Sequence, residues 1–116
     1  MIKACFDKED EKFLSLSIEG HAGQAAKGND IICAAASILA YTLAQTLVQM
    51  NKQGWLKKAP HIDLEEGKSL VICRPKEEYF YECLMAFFVA EVGYTLLANN
   101  YPQYVEVQQF GEPSEA

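Results

Sequence analysis

The sequence predicts an α+β domain with the element order β-β-α-β-β-α-β, in which a mixed or mostly antiparallel sheet packs against two helices. Two observations support this fold class. Short β-like runs occur in two pairs, each separated by a polar turn, as in β-hairpins. A long segment of helical periodicity follows each pair, and alternating hairpins and helices are typical of one sheet covered by helices. The length of 116 residues fits a single domain over residues 1–116.

The first hairpin is predicted from residues 2–6 and 13–19, joined by a polar turn at 7–11. In the second of these runs, aliphatic side chains alternate with polar or charged ones. This period of two places the apolar side chains on one face of a half-buried strand.

The first helix is predicted over residues 31–52, after a loop at 20–29 that is rich in glycine and alanine. Asp30 stands immediately before the apolar run and suits the N-cap position. Gly54 lies where a glycine commonly ends a helix. Residues 31–51 carry no charge and are long enough to span a bilayer, but their Ser, Thr, Gln and Asn side chains favour a buried helix without a membrane partner.

The second half repeats this order. Residues 61–65 and 69–74 predict another hairpin, and Pro75 is expected to open a helix over residues 77–98. Residues 104–110 predict the last strand. Both helices carry more apolar side chains than one sheet face can cover, which predicts a homodimer that buries the surplus.

Composition narrows the class of protein. The net charge of −6 argues against a nucleic-acid partner, because phosphate affinity comes mainly from Lys and Arg. The four cysteines, Cys5, Cys33, Cys73 and Cys83, match no zinc-binding spacing. The first residues contain no apolar signal-peptide core, so we expect a cytoplasmic protein with reduced thiols. No cofactor is expected, since neither a Walker loop nor a dinucleotide fingerprint occurs.

Cys33 and His21 are the candidates for covalent chemistry. With Asp30 as N-cap, Cys33 occupies the third helical position, where free backbone N–H groups and the helix dipole favour a thiolate. His21 lies twelve positions earlier, at the end of the second strand, within reach as a general base. The alternatives are a small core cysteine and a strand-end histidine bonded to loop backbone.

The residues between this pair have possible supporting roles. Asp30 either only caps the helix or also orients His21. The N–H of Cys33, together with N–H groups near Gly28, could form an oxyanion hole. Gly20 and Gly28 allow a loop that closes over substrate. A metal site made of His21, Asp30 and Cys33 is a further alternative, for which no fourth ligand is evident.

The loop and helix start resemble a known signature. Residues 20–22 read Gly-His-Ala, and residues 28–37 read Gly-Asn-Asp-Ile-Ile-Cys-Ala-Ala-Ala-Ser. This is similar to the motif of the ribosomal-processing cysteine protease family, Prp: Gly-His-Ala, a short loop, then Gly-x-Asp-Ile-Val-Cys-Ala-Ala-x-Ser. The difference is Ile32 in place of Val.

The resemblance implies a small bacterial cytoplasmic endopeptidase that removes the N-terminal extension of a large-subunit ribosomal protein. It implies that His21 and Cys33 are the catalytic pair, that Asp30 matches the acidic residue before the nucleophile, and that the protein is a homodimer. An acidic enzyme would suit a basic ribosomal substrate. Two other functions remain open: a non-catalytic ribosome-associated adaptor of the same fold, and another Cys-His amide hydrolase.

Overall fold

The computed structural model describes residues 1–22 and 29–112, except the side chains of residues 29 and 30. The chain folds in the predicted order, with one turn of 3₁₀ helix before the second α-helix. The elements are β1 (Ile2–Glu9), β2 (Phe13–Glu19), α1 (Asn29–Lys52), β3 (His61–Glu65), β4 (Lys68–Cys73), the 3₁₀ turn Glu77–Tyr79, α2 (Phe80–Asn100) and β5 (Val105–Gln108).

The five strands form one mixed sheet in the order β3-β4-β2-β1-β5. All neighbouring strands are antiparallel except β1 and β5, which run parallel. The predicted fold class is therefore confirmed. The two hairpins join through the pairing of β2 with β4. This pairing places the end of β2 beside the turn between β3 and β4, near the start of α1.

One face of the sheet forms the core with both helices. Strand residues of alternating position are buried on that face, among them Ala4, Phe6, Leu14, Leu16 and Val71. The helices contribute buried side chains from one stripe each, as expected for amphipathic packing. By length and composition alone, both helices are apolar and long enough to cross a membrane, yet both pack on this sheet.

The helices contact each other closely as well as the sheet. The buried Tyr94 hydroxyl of α2 donates a hydrogen bond of 2.6 Å to the backbone carbonyl oxygen of Ala36 in α1. Gly93 lies against Leu39, since a Cβ on this glycine would come within 2.6 Å of a Leu39 methyl carbon. These contacts fix the first half of α1 against the middle of α2.

Several element boundaries differ from the predicted ones. β1 continues to Glu9 because its polar end still pairs with β2, as backbone hydrogen bonds need no apolar side chains. Asp10 then makes the turn with a positive φ of 47°, a conformation that aspartate tolerates. The second helix starts as a 3₁₀ turn at Glu77 and becomes α-helical at Phe80, and β5 is shorter than predicted.

Helix α1 starts two residues earlier than predicted, which changes the position of Cys33 in the helix. The helix begins at Asn29, not at Ile31, so Asp30 is the second helical residue and not the N-cap. Asparagine and aspartate both favour helix starts, so the sequence alone could not place this boundary within two residues.

Candidate active site

His21 lies two residues after the end of β2, at a point where the backbone is closely confined. Gly20 has a φ of +92°, and a Cβ there would overlap the backbone carbonyl oxygen of Met1. The amine nitrogen of Met1 donates a hydrogen bond to the carbonyl oxygen of His21. The chain at Gly20 and His21 therefore lies tightly against the start of β1, and only glycine fits at position 20.

Cys33 lies on the first turns of α1 and is half-buried against the core. Because the helix begins at Asn29, Cys33 is the fifth helical residue and not the third. In a regular α-helix, the N–H of a fifth residue donates to the carbonyl four residues earlier. The Cys33 N–H is therefore not the free donor that the sequence suggested, and an oxyanion hole would need other N–H groups.

The structure brings His21 and Cys33 together in one cavity of about 220 Å³. Its walls come from β1, the end of β2, the first half of α1 and the β3–β4 hairpin. The cavity combines an apolar interior with a charged and polar rim. Its lining residues are Ile2, Ile18, Gly20, His21, Cys33, Ala36, Ser37, Ala40, Tyr41, Leu64, Glu65, Glu66, Gly67, Lys68 and Ser69.

The imidazole of His21 contacts the turn of the β3–β4 hairpin. A Cβ built on Gly67 would come within 2.7 Å of His21 Nε2. In addition, the N–H of Gly20 donates a hydrogen bond of 2.9 Å to the carbonyl oxygen of Gly67. The histidine is therefore exposed to solvent on one side and packed against the hairpin turn on the other.

Two groups of cavity residues were missed by the sequence reasoning. Ser37 and Tyr41 lie four and eight residues after Cys33, and that spacing, which places them on one helix face, could have identified them. The hairpin residues from Leu64 to Ser69 could not be found in this way. They reach the cavity only because β4 pairs with β2, a contact between distant parts of the sequence.

Some predicted site residues lie outside the described part of the structure. Gly28 and the rest of the loop at 23–28 are among them, as is the side chain of Asp30. Whether Asp30 orients His21 therefore stays a prediction. Within residues 1–22 and 31–112, no three His, Cys, Asp or Glu side chains are grouped to hold a metal ion.

The other cysteines and the second histidine lie away from the cavity. Cys73 and Cys83 are fully buried in the core, and Cys5 is half-buried on the opposite sheet face, near Gln108. His61 is exposed at the start of β3. Cys33 lines the same cavity as His21, and none of the other three cysteines is among the residues that line it.

The chain matches one known protein family and resembles several solved structures. The family model for the cysteine protease Prp matches residues 1–106. A search of curated protein sequences finds no significant match. Among solved structures, the Streptococcus mutans protein SMU.848 is 27% identical, with a TM-score of 0.69 and coverage of 93% of this chain and 92% of that one.

Two further structures are of the essential ribosomal processing protease Prp from S. aureus. One contains a covalently linked product peptide and is 19% identical, with a TM-score of 0.67. The other contains a substrate peptide and is 17% identical, with a TM-score of 0.68. Each alignment covers 95% of this chain and 99% of the S. aureus chain, so the likeness in fold extends over the whole domain.

Proposed function

The chain belongs to the Prp family of cysteine proteases, and we propose that it cleaves the N-terminal extension from a large-subunit ribosomal protein with Cys33 as nucleophile and His21 as general base. The observation that carries this proposal is the shared cavity of about 220 Å³, which both residues line. The S. aureus relatives bound to substrate and product peptides support a peptide as the ligand of this cavity.

The proposed reaction proceeds in two steps. His21 accepts the thiol proton of Cys33, and the thiolate sulfur attacks the carbonyl carbon of the scissile peptide bond. The C–N bond breaks, the imidazolium returns the proton to the leaving amine, and a thioester remains on Cys33. His21 then takes a proton from a water molecule, and the water oxygen attacks the thioester carbonyl carbon. The C–S bond breaks, the imidazolium returns the proton to the Cys33 thiolate, and the extension leaves with a free carboxylate.

The cavity offers an environment that suits this chemistry. Its interior is lined by aliphatic side chains such as Ile18, Ala36 and Leu64, which exclude water around an apolar substrate residue. The residues that line it include Glu65, Glu66 and Lys68, and the chain as a whole has a net charge of −6. This overall negative charge favours the approach of a basic ribosomal protein. We place this activity in the cytoplasm, where such proteins are made.

We also propose that the enzyme is a homodimer. The outer face of α2 exposes an uninterrupted apolar stripe with helical spacing, which consists of Tyr81, Met85, Phe88, Val89, Val92 and Leu96. The first half of α1 adds Ile31, Ile38 and Tyr41. Contiguous exposed apolar residues often mark a protein–protein interface, and a second copy of the chain would cover the stripe with an identical one.

The catalytic proposal is tested with a peptide that spans the extension of a large-subunit ribosomal protein. We expect Cys33→Ala to abolish cleavage, and His21→Ala to lower kcat by about 10²–10⁴-fold. Cys5→Ala and His61→Ala are matched controls, because they remove the same chemical groups outside the cavity, and both should keep full activity.

Each assignment has its own contrary result. Full cleavage by Cys33→Ala would exclude this thiol as the nucleophile. If the wild-type enzyme hydrolyses small amides but leaves the peptide intact, it is another Cys-His amide hydrolase. A wild-type protein that binds the peptide and never cleaves it would instead be an adaptor.

A further inference from the structure

We propose that Gly67, in the turn of the β3–β4 hairpin, is a positioning residue that holds the His21 imidazole in the orientation needed to act on Cys33. This inference rests on the catalytic pair proposed above and assigns a role to a residue from a distant part of the chain. Gly67 touches neither the thiol nor the scissile bond in this proposal and acts only through His21.

The first observation is the space between Gly67 and the imidazole. A Cβ on Gly67 would lie 2.7 Å from Nε2 of His21 and 3.1 Å from Cε1. Side-chain atoms do not approach so closely without displacement, so the ring occupies the position that any other residue at 67 would need. The edge of the ring that carries Nε2, one of its two nitrogens, lies against the backbone of the turn.

The second observation is a backbone link between the same two segments. Gly20, the residue before His21, donates its N–H to the carbonyl oxygen of Gly67 over 2.9 Å. The hairpin turn therefore fixes the main chain at the histidine and also limits where its side chain can lie. Both contacts come from one residue, so a shift of Gly67 would move both.

The histidine needs this support because His21 is an exposed residue. An exposed side chain exchanges among staggered rotamers, whereas a general base must stay within hydrogen-bond distance of the proton that it accepts. Because Gly67 has no Cβ, the ring can take its present rotamer against the turn, and the backbone of the turn limits its movement on that side. A larger residue at 67 would push the ring away from its present position beside the cavity.

Gly67 also has a φ of +81°, so a substitution strains the backbone whatever the space around it. Two other glycines of the chain allow the effect of backbone strain to be separated from the effect of the contact with His21. Gly54 and Gly111 have the same φ of +81°, but a Cβ at Gly54 meets only the Lys76 Nζ at 3.9 Å, and one at Gly111 meets nothing within 4 Å. Gly54→Ala and Gly111→Ala therefore reproduce the strain without the contact.

The test compares Gly67→Ala with these two controls and with His21→Ala in the peptide cleavage assay. We expect Gly67→Ala to lower kcat at least about tenfold with a much smaller change in KM, because a misplaced base slows the reaction more than it weakens peptide binding. The alkylation rate of Cys33 by iodoacetamide at neutral pH should fall in parallel. Both controls should keep the wild-type kcat and alkylation rate.

The outcomes separate this proposal from the one on which it rests. If His21→Ala is inactive and Gly67→Ala matches Gly54→Ala, only the positioning role is overturned. If His21→Ala is fully active, the catalytic pair fails, and the role of Gly67 fails with it. Should Gly67→Ala not fold, the wild-type protein decides by NMR: a nuclear Overhauser effect between the His21 ring protons and the Gly67 α-protons is expected, and its absence overturns the proposal.

Discussion

Burial divides the four cysteines into three different environments. Cys73 and Cys83 have no exposed surface, and a hydrogen bond with Cys83, together with burial, raises the pKa of Cys73 far above that of an ordinary thiol. Cys5 is half-buried between strands, and Cys33 is half-buried at the edge of the cavity. Because the thiolate is the reactive form, these positions predict very different reactivities.

We predict that iodoacetamide modifies Cys33 first in the folded protein, Cys5 more slowly, and Cys73 and Cys83 only after denaturation. Peptide mapping by mass spectrometry at increasing reaction times measures this order. His21→Ala should slow the modification of Cys33 and leave the rate at Cys5 unchanged, since only Cys33 shares a cavity with His21. Modification of Cys73 at the rate of Cys33 in native protein would contradict the buried position of this thiol.

At residue scale, the sequence predicts His21 and Cys33, which share a cavity in the structure, but not the residues around them. The Gly-His-Ala segment and the cysteine at a helix start are local patterns, and local patterns are readable without coordinates. The contact between His21 and Gly67 joins residues 46 positions apart and depends on the pairing of β2 with β4. No pattern in the sequence indicates which turn will lie beside the histidine.

At the scale of elements, the open face of the sheet carries an ordered row of charges. The strand register places Glu106, Lys3, Glu19, Lys68 and Glu65 side by side, one from each of the five strands in their order across the sheet. The signs alternate along the whole row. Opposite charges on neighbouring strands stabilise a sheet by about 0.2–1 kcal/mol per pair, and like charges destabilise it.

We predict that Lys3→Glu lowers the free energy of unfolding by about 1–2 kcal/mol, because it replaces two attractive neighbours with two repulsive ones. Lys58→Glu is the control: it makes the same charge change at an exposed position outside the strands. Urea unfolding of both variants measures the difference. The difference should shrink in 1 M salt, where the screening length falls to about 3 Å. Equal destabilisation by both variants would show that the row has no special effect.

The strands differ in how far the sequence alone predicts them. The residues 13–19 were predicted as a strand and form one with those bounds, because alternation of apolar side chains is strong there. The end of β1 was missed, since Asp7, Lys8 and Glu9 are polar and pair through their backbones alone. Strand order and the parallel pairing of β5 with β1 depend on contacts over the full chain length, which periodicity cannot reveal.

At the scale of the whole molecule, the two helices divide their surfaces between one core and solvent. The inner side of α2 is fully buried at Phe87 and Tyr94, whereas its outer side leaves Tyr81 68% and Val89 66% exposed. A helix that is apolar all round is typical of one buried on both sides. The sheet covers only one side, so the outer stripe is the surface that we assign to a second copy of the chain.

We predict that the wild-type protein has about twice the 13.0 kDa mass of the chain in solution, and that Val89→Glu converts it to the monomer. A charge in the centre of the α2 stripe would be buried without a partner in the dimer, and that cost exceeds what an interface of this kind tolerates. Gln49→Glu is the control, because it adds the same charge at an exposed position of α1 outside the stripe. Sedimentation equilibrium measures both masses, and circular dichroism shows whether each variant is folded.

A wild-type protein that sediments as a monomer at the concentrations of the cleavage assay would exclude the dimer. A dimer that persists in folded Val89→Glu would place the interface elsewhere on the molecule.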